Sequence, residues 1–286
     1  MKKQIILTFD LEEWFHLCLD DHPNTWDDYE NRFEENIDFI LGILDDHGSR
    51  ATFLVLGWIA KKYPKIIRKI YEQGHDVGSH SNNHELIYQQ SKSEFESDLI
   101  DSINILEDII DNQVSIYRAP AFSINNDNKW ALEIIAKNNI QYDLSLFQGN
   151  HSLGGIRCDS IDEPFFINTD FGRLLEYPMS VTSFLGVTFA SCGGGYFRLL
   201  PFSIIKSLIK NNDYNMTYFH PRDFDDNQPR ISMPLMRYFK TYVGLSSSKL
   251  KFEKILSTFD SISLTQDLKR RDLASSQIID LERLGK

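Results

Sequence analysis

The sequence predicts an α/β fold in which parallel strands are covered by helices, and three observations support this class. Apolar runs with the length of buried strands alternate with segments of helical periodicity through the first half of the chain. Glycine or proline marks several junctions between these segments. A length of 286 residues with 42% hydrophobic content is enough for one barrel-sized domain. A (β/α) barrel and a doubly wound sheet both fit this alternation.

Predicted strands and helices alternate regularly through the first half of the chain. Strands are predicted at residues 4–9, 51–56, 76–79, 114–118 and 140–143. Helices are predicted from apolar residues at helical spacing, near residues 33–44, 64–73, 93–111 and 130–136. Gly48 and Gly74 stand where C-terminal caps of the first two helices belong, and Pro64 opens the second.

In the second half of the chain this alternation of strands and helices is interrupted and then resumes. Residues at about 150–200 are rich in glycine and strand-like segments, which predicts a strand-rich insertion. Regular alternation resumes with a helix after Pro201, a strand at 215–220, a helix near 249–258 and a strand at 261–264. From about residue 266 the tail is charged and is predicted to be a solvated helix. The whole chain is interpreted as a single catalytic domain.

Composition excludes several classes of partner. The net charge of −11 would repel a phosphate backbone, so nucleic acid is not an expected partner. The longest apolar run, residues 51–60, is too short to span a bilayer. Three widely separated cysteines, Cys18, Cys158 and Cys192, indicate neither a disulfide framework nor a thiolate zinc site. Without a recognisable secretion signal, the expected location is cytoplasmic.

His80 and His84 form an H-x-x-x-H pattern where the strand at 76–79 ends. If Ser81 or Asn82 caps a following helix, His84 lies in its first turn and both imidazoles face one point at the carboxyl edge of the sheet. Barrel enzymes build their sites at that edge, which favours the barrel over the doubly wound sheet. Such a pair is often incidental surface, so a metal site requires a third ligand.

The acidic run after the first strand, Asp10 to Glu13, offers that ligand. Side chains alternate along a strand, so Asp10 and Glu12 share a face while Leu11 and Glu13 share the other. Glu12 is therefore the better ligand candidate, and Asp10 is left to act as a base. Two histidines and one carboxylate are typical of hydrolytic zinc and of mononuclear iron sites. The alternative is that these acids only cap the next segment.

Two further strand ends carry complementary chemistry. Arg118 follows the strand at 114–118 and is a natural partner for Asp10, although a surface salt bridge is the simpler interpretation. His220 ends the strand at 215–220 and suits proton transfer near neutral pH. A lone histidine at a strand end is usually structural, and it is the coincidence of four such ends in one chain that favours a site.

These segments, in this order, resemble the polysaccharide deacetylase family, carbohydrate esterase family 4. Thr8-Phe9-Asp10, His80-Ser81-x-x-His84, Arg118-x-Pro120-x-Phe122 and His220 match the family's motifs position by position. Leu11 departs from the family by replacing the usual aspartate ligand. Glu12 and the late Gly193-Gly194-Gly195-Tyr196-Phe197-Arg198 segment resemble a subgroup with a D-x-E first motif, whose metal ligand is shifted by one position.

The resemblance implies a distorted (β/α) barrel of about seven strands and a divalent metal, expected to be Zn²⁺ with iron, cobalt or nickel as alternatives. Glu12, His80 and His84 are the implied ligands, Asp10 the base oriented by Arg118, and His220 the acid. A backbone N–H near Phe122 is implied to stabilise the oxyanion. Asp143, with Glu176 as the weaker alternative, is expected to orient His220. Phe122, Trp14 and Tyr196 are candidates for stacking on sugar rings.

The predicted function is metal-dependent removal of an N-acetyl group from a sugar in bacterial polysaccharide or glycolipid biosynthesis. The expected substrate is an N-acetylated sugar or a lipid-linked or nucleotide-linked saccharide. One alternative is an amidohydrolase of the same fold that acts on a small cyclic or linear amide. A second alternative, from another class, is a carbohydrate-binding protein whose catalytic function has lapsed.

Overall fold

The structure is a computed structural model that describes residues 2–17, 23–148, 154–156, 163–184, 187–190 and 192–285. Cys18 and Cys158, which entered the prediction on cysteine usage, lie outside the described residues, and Cys192 is buried. None of the helices within these ranges has the length and apolar character required to cross a membrane.

Short strands form the centre of the molecule. In chain order they are β1 (Gln4–Ile6), β2 (Thr8–Leu11), β3 (Thr52–Val55), β4 (Asp76–Ser79), β5 (Ile116–Tyr117), β6 (Tyr142–Asp143), β7 (Phe165–Thr169), β8 (Gly172–Glu176), β9 (Thr182–Phe184), β10 (Val187–Phe189), β11 (Asp260–Ile262) and β12 (Ile278–Asp280). The predicted first strand is thus divided at Leu7, and the strands predicted at 114–118 and 140–143 shorten to two residues each.

Helices connect and cover these strands. In chain order they are α1 (Phe33–Asp46), α2 (Gly57–Lys62), α3 (Pro64–Glu72), α4 (Lys92–Ile110), α5 (Trp130–Lys137), α6 (Gly194–Leu199), α7 (Phe202–Asn211), α8 (Leu235–Tyr242), α9 (Leu245–Thr258) and α10 (Leu264–Arg270). Predicted caps hold where they were placed: Gly48 and Gly74 have positive φ just beyond α1 and α3, and Pro64 opens α3.

The main sheet has eight strands in the order β12-β7-β8-β6-β5-β4-β3-β2. All neighbours from β2 to β8 are parallel, β7 is antiparallel to β8, and β12 is parallel to β7. The predicted α/β class with a parallel sheet is confirmed. Consecutive parallel strands place their carboxyl ends at one edge, which is where the polar motifs lie.

The segment 215–219 extends the sheet beyond β2. Its residues form parallel bridges between Met216 and Ile6 and between Phe219 and Phe9. The Asp10 N–H donates to the Phe219 carbonyl at 2.8 Å, and the Phe219 N–H donates to the Thr8 carbonyl at 3.1 Å. This pairing carries His220, the next residue, to the end of β2 beside Asp10.

An aromatic cluster packs beneath this pairing. Phe9 stacks on Phe53 with ring centroids 5.1 Å apart, and it meets Phe219 and Phe252 at 5.8 Å each. Phe224 lies 5.0 Å from Phe252. All five rings are almost completely buried. Large buried rings of this kind contribute much of a core's stability, so the site rests on a rigid floor.

The predicted insertion and tail are both built into the sheet. β7 and β8, from the glycine-rich region, form one end of the main sheet with β12. The tail is not a wholly solvated helix, because Asp267 of α10 is buried and accepts hydrogen bonds from Gln4, Tyr177 and Arg271. Local pairing of charges accounts for this difference, since charge counts along a sequence do not reveal which charges neutralise one another.

Candidate metal and catalytic site

Four chain segments bring polar side chains to one point at the carboxyl edge of the sheet. Asp10 and Glu12 come from the end of β2, His80 and His84 follow β4, Arg118 follows β5, and His220 follows segment 215–219. Most of these side chains are nearly inaccessible, and His220 is the exception with 20% of its side chain exposed. The site therefore opens to solvent beside His220.

Glu12, His80 and His84 converge as the sequence predicted. Their candidate ligand atoms lie within 4.8 Å of one another. The Oε1 atom of Glu12 is 3.0 Å from His80 Nε2 and 2.9 Å from His84 Nε2. Two imidazole nitrogens and one carboxylate oxygen are a donor set that suits a catalytic zinc or a related divalent ion.

The tautomer of His80 tests whether this set fits a cation. His80 Nδ1 lies 2.8 Å from the Arg118 carbonyl, which can only accept, so Nδ1 carries the hydrogen. In the neutral ring, Nε2 then presents a lone pair toward Glu12 Oε1, which is also an acceptor. A cation between these two atoms, either a metal ion or a proton on Nε2, makes the contact favourable. The residues therefore fit a divalent metal, and the Arg118 carbonyl fixes the ring orientation.

Charge around Glu12 favours its ionised form. Burial alone would raise the pKa of the Glu12 carboxyl, but the charges of His84 and His220 and hydrogen bonds from His80 and His84 hold this pKa well below its ordinary value. An ionised carboxylate is the form that a metal ligand requires.

The loop that carries His84 differs from the prediction. No helix begins at Ser81 or Asn82; instead Ser81 and His84 have positive φ values of 68° and 56°. The two carboxylate oxygens of Asp98, on α4, accept the Asn82 and Asn83 N–H groups at 2.8 and 3.1 Å. The turn is thus held from α4, a long-range contact that local capping patterns do not reveal.

Glu13 has a separate, structural role. Its Oε1 accepts hydrogen bonds from the Arg32 and Phe33 N–H groups, each at 2.9 Å, and so caps the first turn of α1. Burial raises the pKa of Glu13 to about 7 despite these bonds. The alternation argument that selected Glu12 over Glu13 agrees with this geometry.

Asp10 and Arg118 form a buried pair. Arg118 Nη1 donates to Asp10 Oδ1 at 2.6 Å and to Thr8 Oγ1 at 2.8 Å, and its Nε donates to the Leu144 carbonyl at 3.2 Å. The other carboxylate oxygen, Asp10 Oδ2, lies 4.0 Å from His220 Nε2. One oxygen of Asp10 is anchored, and the other faces the centre of the site.

His220 is oriented by Asp223. Asp223 Oδ2 is 3.2 Å from His220 Nδ1 and accepts the His220 backbone N–H at 2.9 Å. The predicted orienting acid, Asp143, lies elsewhere: it accepts from Ser145 Oγ at 2.6 Å and interacts with Glu176 on the neighbouring strand β8. Asp223 occupies the orienting position because Pro221 starts a tight turn that folds residue 223 back onto residue 220.

Neighbouring charges favour the ionised forms of both His220 and Asp223. Burial favours a neutral His220 ring, but the carboxylates of Glu12, Asp223 and Asp10 outweigh it and raise the His220 pKa to about 9. Burial likewise opposes ionisation of Asp223, whereas Arg198, with its Nε 3.2 Å from Asp223 Oδ1, and His220 hold that pKa well below its ordinary value.

Of the three aromatic residues predicted to stack on sugar rings, Trp14 and Phe122 are buried and Tyr196 is exposed. Trp14 is 5% exposed and its Nε1 donates to the Glu30 carbonyl at 2.8 Å. Phe122 is 4% exposed and packs on Phe147, and its N–H donates to the Ala119 carbonyl at 3.2 Å. Tyr196 is 40% exposed and stacks on Phe189, with centroids 4.5 Å apart. Most aromatic residues in such a fold fill the core.

Asp223 and Arg198 were absent from the predicted site. A carboxylate three residues after a histidine, with proline between them, is the pattern that could have identified Asp223. Arg198 closes the glycine-rich segment, whose Gly193 has no room for a side chain: an added Cβ would lie 2.1 Å from the Tyr218 carbonyl oxygen. The close approach permitted by this glycine is to neighbouring backbone.

Two protein families match consecutive parts of the chain. Residues 1–142 match the family described as polysaccharide deacetylase, and residues 144–269 match the domain of unknown function DUF3473. Over 95 residues the chain is 33% identical to a peptidoglycan-N-acetylglucosamine deacetylase of Bacillus cereus. This match covers 33% of the chain and 34% of the relative, so the chain aligns with about a third of that protein's length.

Solved structures with a similar fold cover nearly all of the chain. A structure from Mycobacterium smegmatis, assigned to the polysaccharide deacetylases, has a TM-score of 0.63 at 18% identity and covers 94% of this chain and 90% of its own. A carbohydrate esterase family 4 pseudoenzyme from Bacillus anthracis has a TM-score of 0.51 at 13% identity, with 98% and 69% coverage. At these identities the likeness concerns the fold. The chain therefore carries a polysaccharide deacetylase family domain over residues 1–142, followed over residues 144–269 by the domain of unknown function DUF3473.

Proposed function

We propose that this protein is a metal-dependent hydrolase that removes an N-acetyl group from a sugar. The observation that carries the proposal is the convergence of His80 and His84 on one oxygen of Glu12, flanked by a carboxylate on one side and a histidine on the other. Leu11 leaves the family's usual ligand position without a donor, and Glu12 supplies one instead.

Glu12, His80 and His84 would hold the metal, with Zn²⁺ as the expected ion. When bound, such an ion polarises an acyl carbonyl and lowers the pKa of water. The chain's own contribution is the rigid placement of three donors: the Arg118 carbonyl orients His80, and Asp98 holds the loop that presents His84. A preformed donor set of this kind avoids the entropic cost of assembling the site on binding.

Asp10 is assigned as the general base. Arg118 holds Oδ1, which leaves Oδ2 directed toward the space between Glu12 and His220. In the proposed reaction Oδ2 accepts a proton from the water whose oxygen attacks the acyl carbon. Arg118 keeps the carboxylate in place through this step and is therefore a positioning residue.

His220 is assigned as the general acid. Its Nε2 lies 4.0 Å from Asp10 and 3.9 Å from Glu12, at the solvent-facing side where a substrate would enter. The Nε2 proton would pass to the sugar nitrogen as the carbon–nitrogen bond breaks, which gives acetate and a free amine. Asp223 at Nδ1 keeps the ring in the orientation that this transfer requires.

The proposed setting is cytoplasmic assembly of a bacterial polysaccharide or glycolipid, with a lipid-linked or nucleotide-linked N-acetylated saccharide as substrate. The curated Bacillus cereus relative, a peptidoglycan-N-acetylglucosamine deacetylase, supports the class of substrate. Tyr196, which is exposed and stacks on the partly buried Phe189, is the aromatic side chain suited to a sugar ring.

The test is acetate release. The purified chain, with its metal content measured, is incubated with N-acetylglucosamine oligomers and with a nucleotide-linked N-acetylhexosamine. We expect acetate from at least one of them, and we expect both Asp10→Asn and His84→Ala to lower the rate of its release by about a hundredfold or more. Acetate release that survives both substitutions would refute the assignments.

The same experiment separates the two alternatives. Hydrolysis of simple cyclic or linear amides, without acetate release from any sugar, would favour the amidohydrolase. Sugar binding without bound metal and without hydrolysis would favour a lapsed enzyme, a state that the Bacillus anthracis pseudoenzyme documents for a protein of this fold.

A further inference from the structure

Helix α8 exposes an apolar face that the described part of the chain does not cover. All residues from 234 to 240 are exposed. Leu235 is 89% exposed, Met236 67% and Phe239 51%, while Thr241 and Tyr242 at the end of the helix are buried. Phe239 lies three positions after Met236 and four after Leu235, and residues at these spacings are neighbours on one side of a helix, so these three side chains form one outward stripe. We call this stripe the α8 face.

The α8 face lies in a basic part of an acidic protein. Residues 230–254 contain six lysine or arginine residues and one acid, Glu253, whereas the whole chain has a net charge of −11. Arg237 and Lys240 are on α8 itself, and Arg230 precedes it. An apolar stripe bordered by cations on a short surface helix is the pattern of helices that lie in the interface of an anionic bilayer.

The α8 face is attached directly to the acid side of the candidate site. Arg198 and Arg222 both donate to the Thr241 carbonyl at the end of α8, and Arg198 also donates to the Lys240 carbonyl at 3.0 Å. Arg198 in turn contacts Asp223, the partner of His220. One arginine therefore links the last turn of α8 with the carboxylate that orients the proposed acid.

We infer that the α8 face docks this protein on the surface of an anionic lipid bilayer. Leu235, Met236 and Phe239 would enter the boundary between headgroups and acyl chains, and Arg237 and Lys240 would contact the anionic headgroups. A membrane is favoured over an acidic protein partner because an exposed apolar stripe bordered by cations matches both layers of an anionic bilayer boundary, the acyl chains and the headgroups. Docking would place the opening beside His220 near the bilayer. This last consequence rests on the proposed function, whereas the docking itself does not.

The experiment is co-sedimentation of the full chain with vesicles, without any turnover. Vesicles of phosphatidylcholine alone are compared with vesicles that also contain phosphatidylglycerol, at low and at high salt. We expect binding to the anionic vesicles, weakened by salt. Leu235→Ser/Phe239→Ser and, separately, Arg237→Glu/Lys240→Glu should each lower the fraction bound by about tenfold or more.

Phe171→Ser is the matched control. Phe171 is 56% exposed at the turn between β7 and β8, at the opposite edge of the sheet from the site, so its loss should leave vesicle binding unchanged. Circular dichroism and acetate release from a small sugar substrate check that each variant is folded. If acetate release fails in the parent chain while vesicle binding holds, the docking inference stands and the proposed function falls.

Three results would overturn the inference. The parent chain could fail to sediment with anionic vesicles. Leu235→Ser/Phe239→Ser could bind as well as the parent. Light scattering could show that the parent is a dimer that this double substitution dissociates, with no vesicle binding by either, which would identify a second copy of the chain as the occupant of the α8 face.

Discussion

Arg118 Nη1 donates to Asp10 Oδ1 at 2.6 Å, and this hydrogen bond joins the ends of two strands, β2 and β5, that are not neighbours in the sheet. Both side chains are buried, so neither charge has water to solvate it. The pair therefore serves two ends: it orients the proposed base, and each partner neutralises a charge that would otherwise be costly to bury.

The first prediction tests the role of Asp10 as the base. Asp10→Asn should lower kcat by about 10²- to 10⁴-fold, because general-base transfer typically contributes that much. It should leave metal content unchanged, since Asp10 is outside the proposed ligand set. Steady-state kinetics and metal analysis on the same sample provide the measurement.

Arg118→Met is the companion to this change. It leaves a buried carboxylate without its partner, and we expect the free energy of unfolding to fall by about 3 kcal/mol. In urea titrations, the double variant Asp10→Asn/Arg118→Met should lose less stability than the sum of the two single changes. Strict additivity would show that the two residues do not form a coupled pair.

The second prediction distinguishes two adjacent acids, Glu12 and Glu13. Glu12→Gln should weaken metal binding by at least about tenfold, because it removes the anionic donor. Glu13→Gln should leave metal affinity unchanged and should lower stability by about 1 kcal/mol, since Glu13 caps α1. Titration calorimetry with Zn²⁺ and chemical unfolding measure the two effects. Equal loss of metal affinity in both variants would contradict this division of roles.

The contrast between Glu12 and Glu13 shows which features of the site could be predicted from local sequence patterns. The alternation of side chains along a strand is a local rule, and it was enough to distinguish Glu12, which lies beside His80 and His84, from Glu13, which caps α1. The parallel order of the strands likewise brought His80, Arg118 and His220 to one edge. These inferences depend only on periodicity and on where strands end.

Other features depended on contacts between distant residues. The turn that presents His84 is held by Asp98, fourteen positions further along the chain, so the predicted helix at Ser81 was not found. The exposure of an aromatic ring is decided by the residues that cover it, and Trp14, a candidate for stacking on a sugar ring, is buried. Asp143 was the expected orienting acid, with Glu176 as the weaker alternative, whereas the acid beside His220 Nδ1 is Asp223, in the turn that follows Pro221.

The third prediction tests whether Asp223, and not Asp143, orients His220. Asp223→Asn should lower kcat by roughly tenfold or more, because it removes the charged partner of His220 Nδ1. KM should change much less, since Asp223 is buried behind the ring. Asp143→Asn, which alters a carboxyl bonded to Ser145, should leave kcat within about twofold of the parent. If Asp143→Asn proved the more damaging of the two to kcat, Asp223 would lose its role as the positioning residue.

The last prediction concerns His75, which immediately precedes β4 and lies away from the site. Its Nδ1 accepts the Ala51 N–H at 3.2 Å and its ring packs edge-on against Phe53, so the ring must be neutral in the folded chain. Burial, together with the charge of nearby Arg50 and against that of Asp45, lowers the pKa of His75 from 6.5 to about 4.

The direction of the pH effect follows from proton binding. Between about pH 6.5 and pH 4 the unfolded chain binds the proton and the folded chain does not, so stability falls as pH falls through this window and is independent of this group below it. The loss should be at most about 3 kcal/mol. His75→Asn keeps an acceptor for the Ala51 N–H but cannot titrate. The difference in unfolding free energy between parent and His75→Asn should therefore change with pH from 6.5 to 4, and a constant difference would show that His75 is protonated in the folded state.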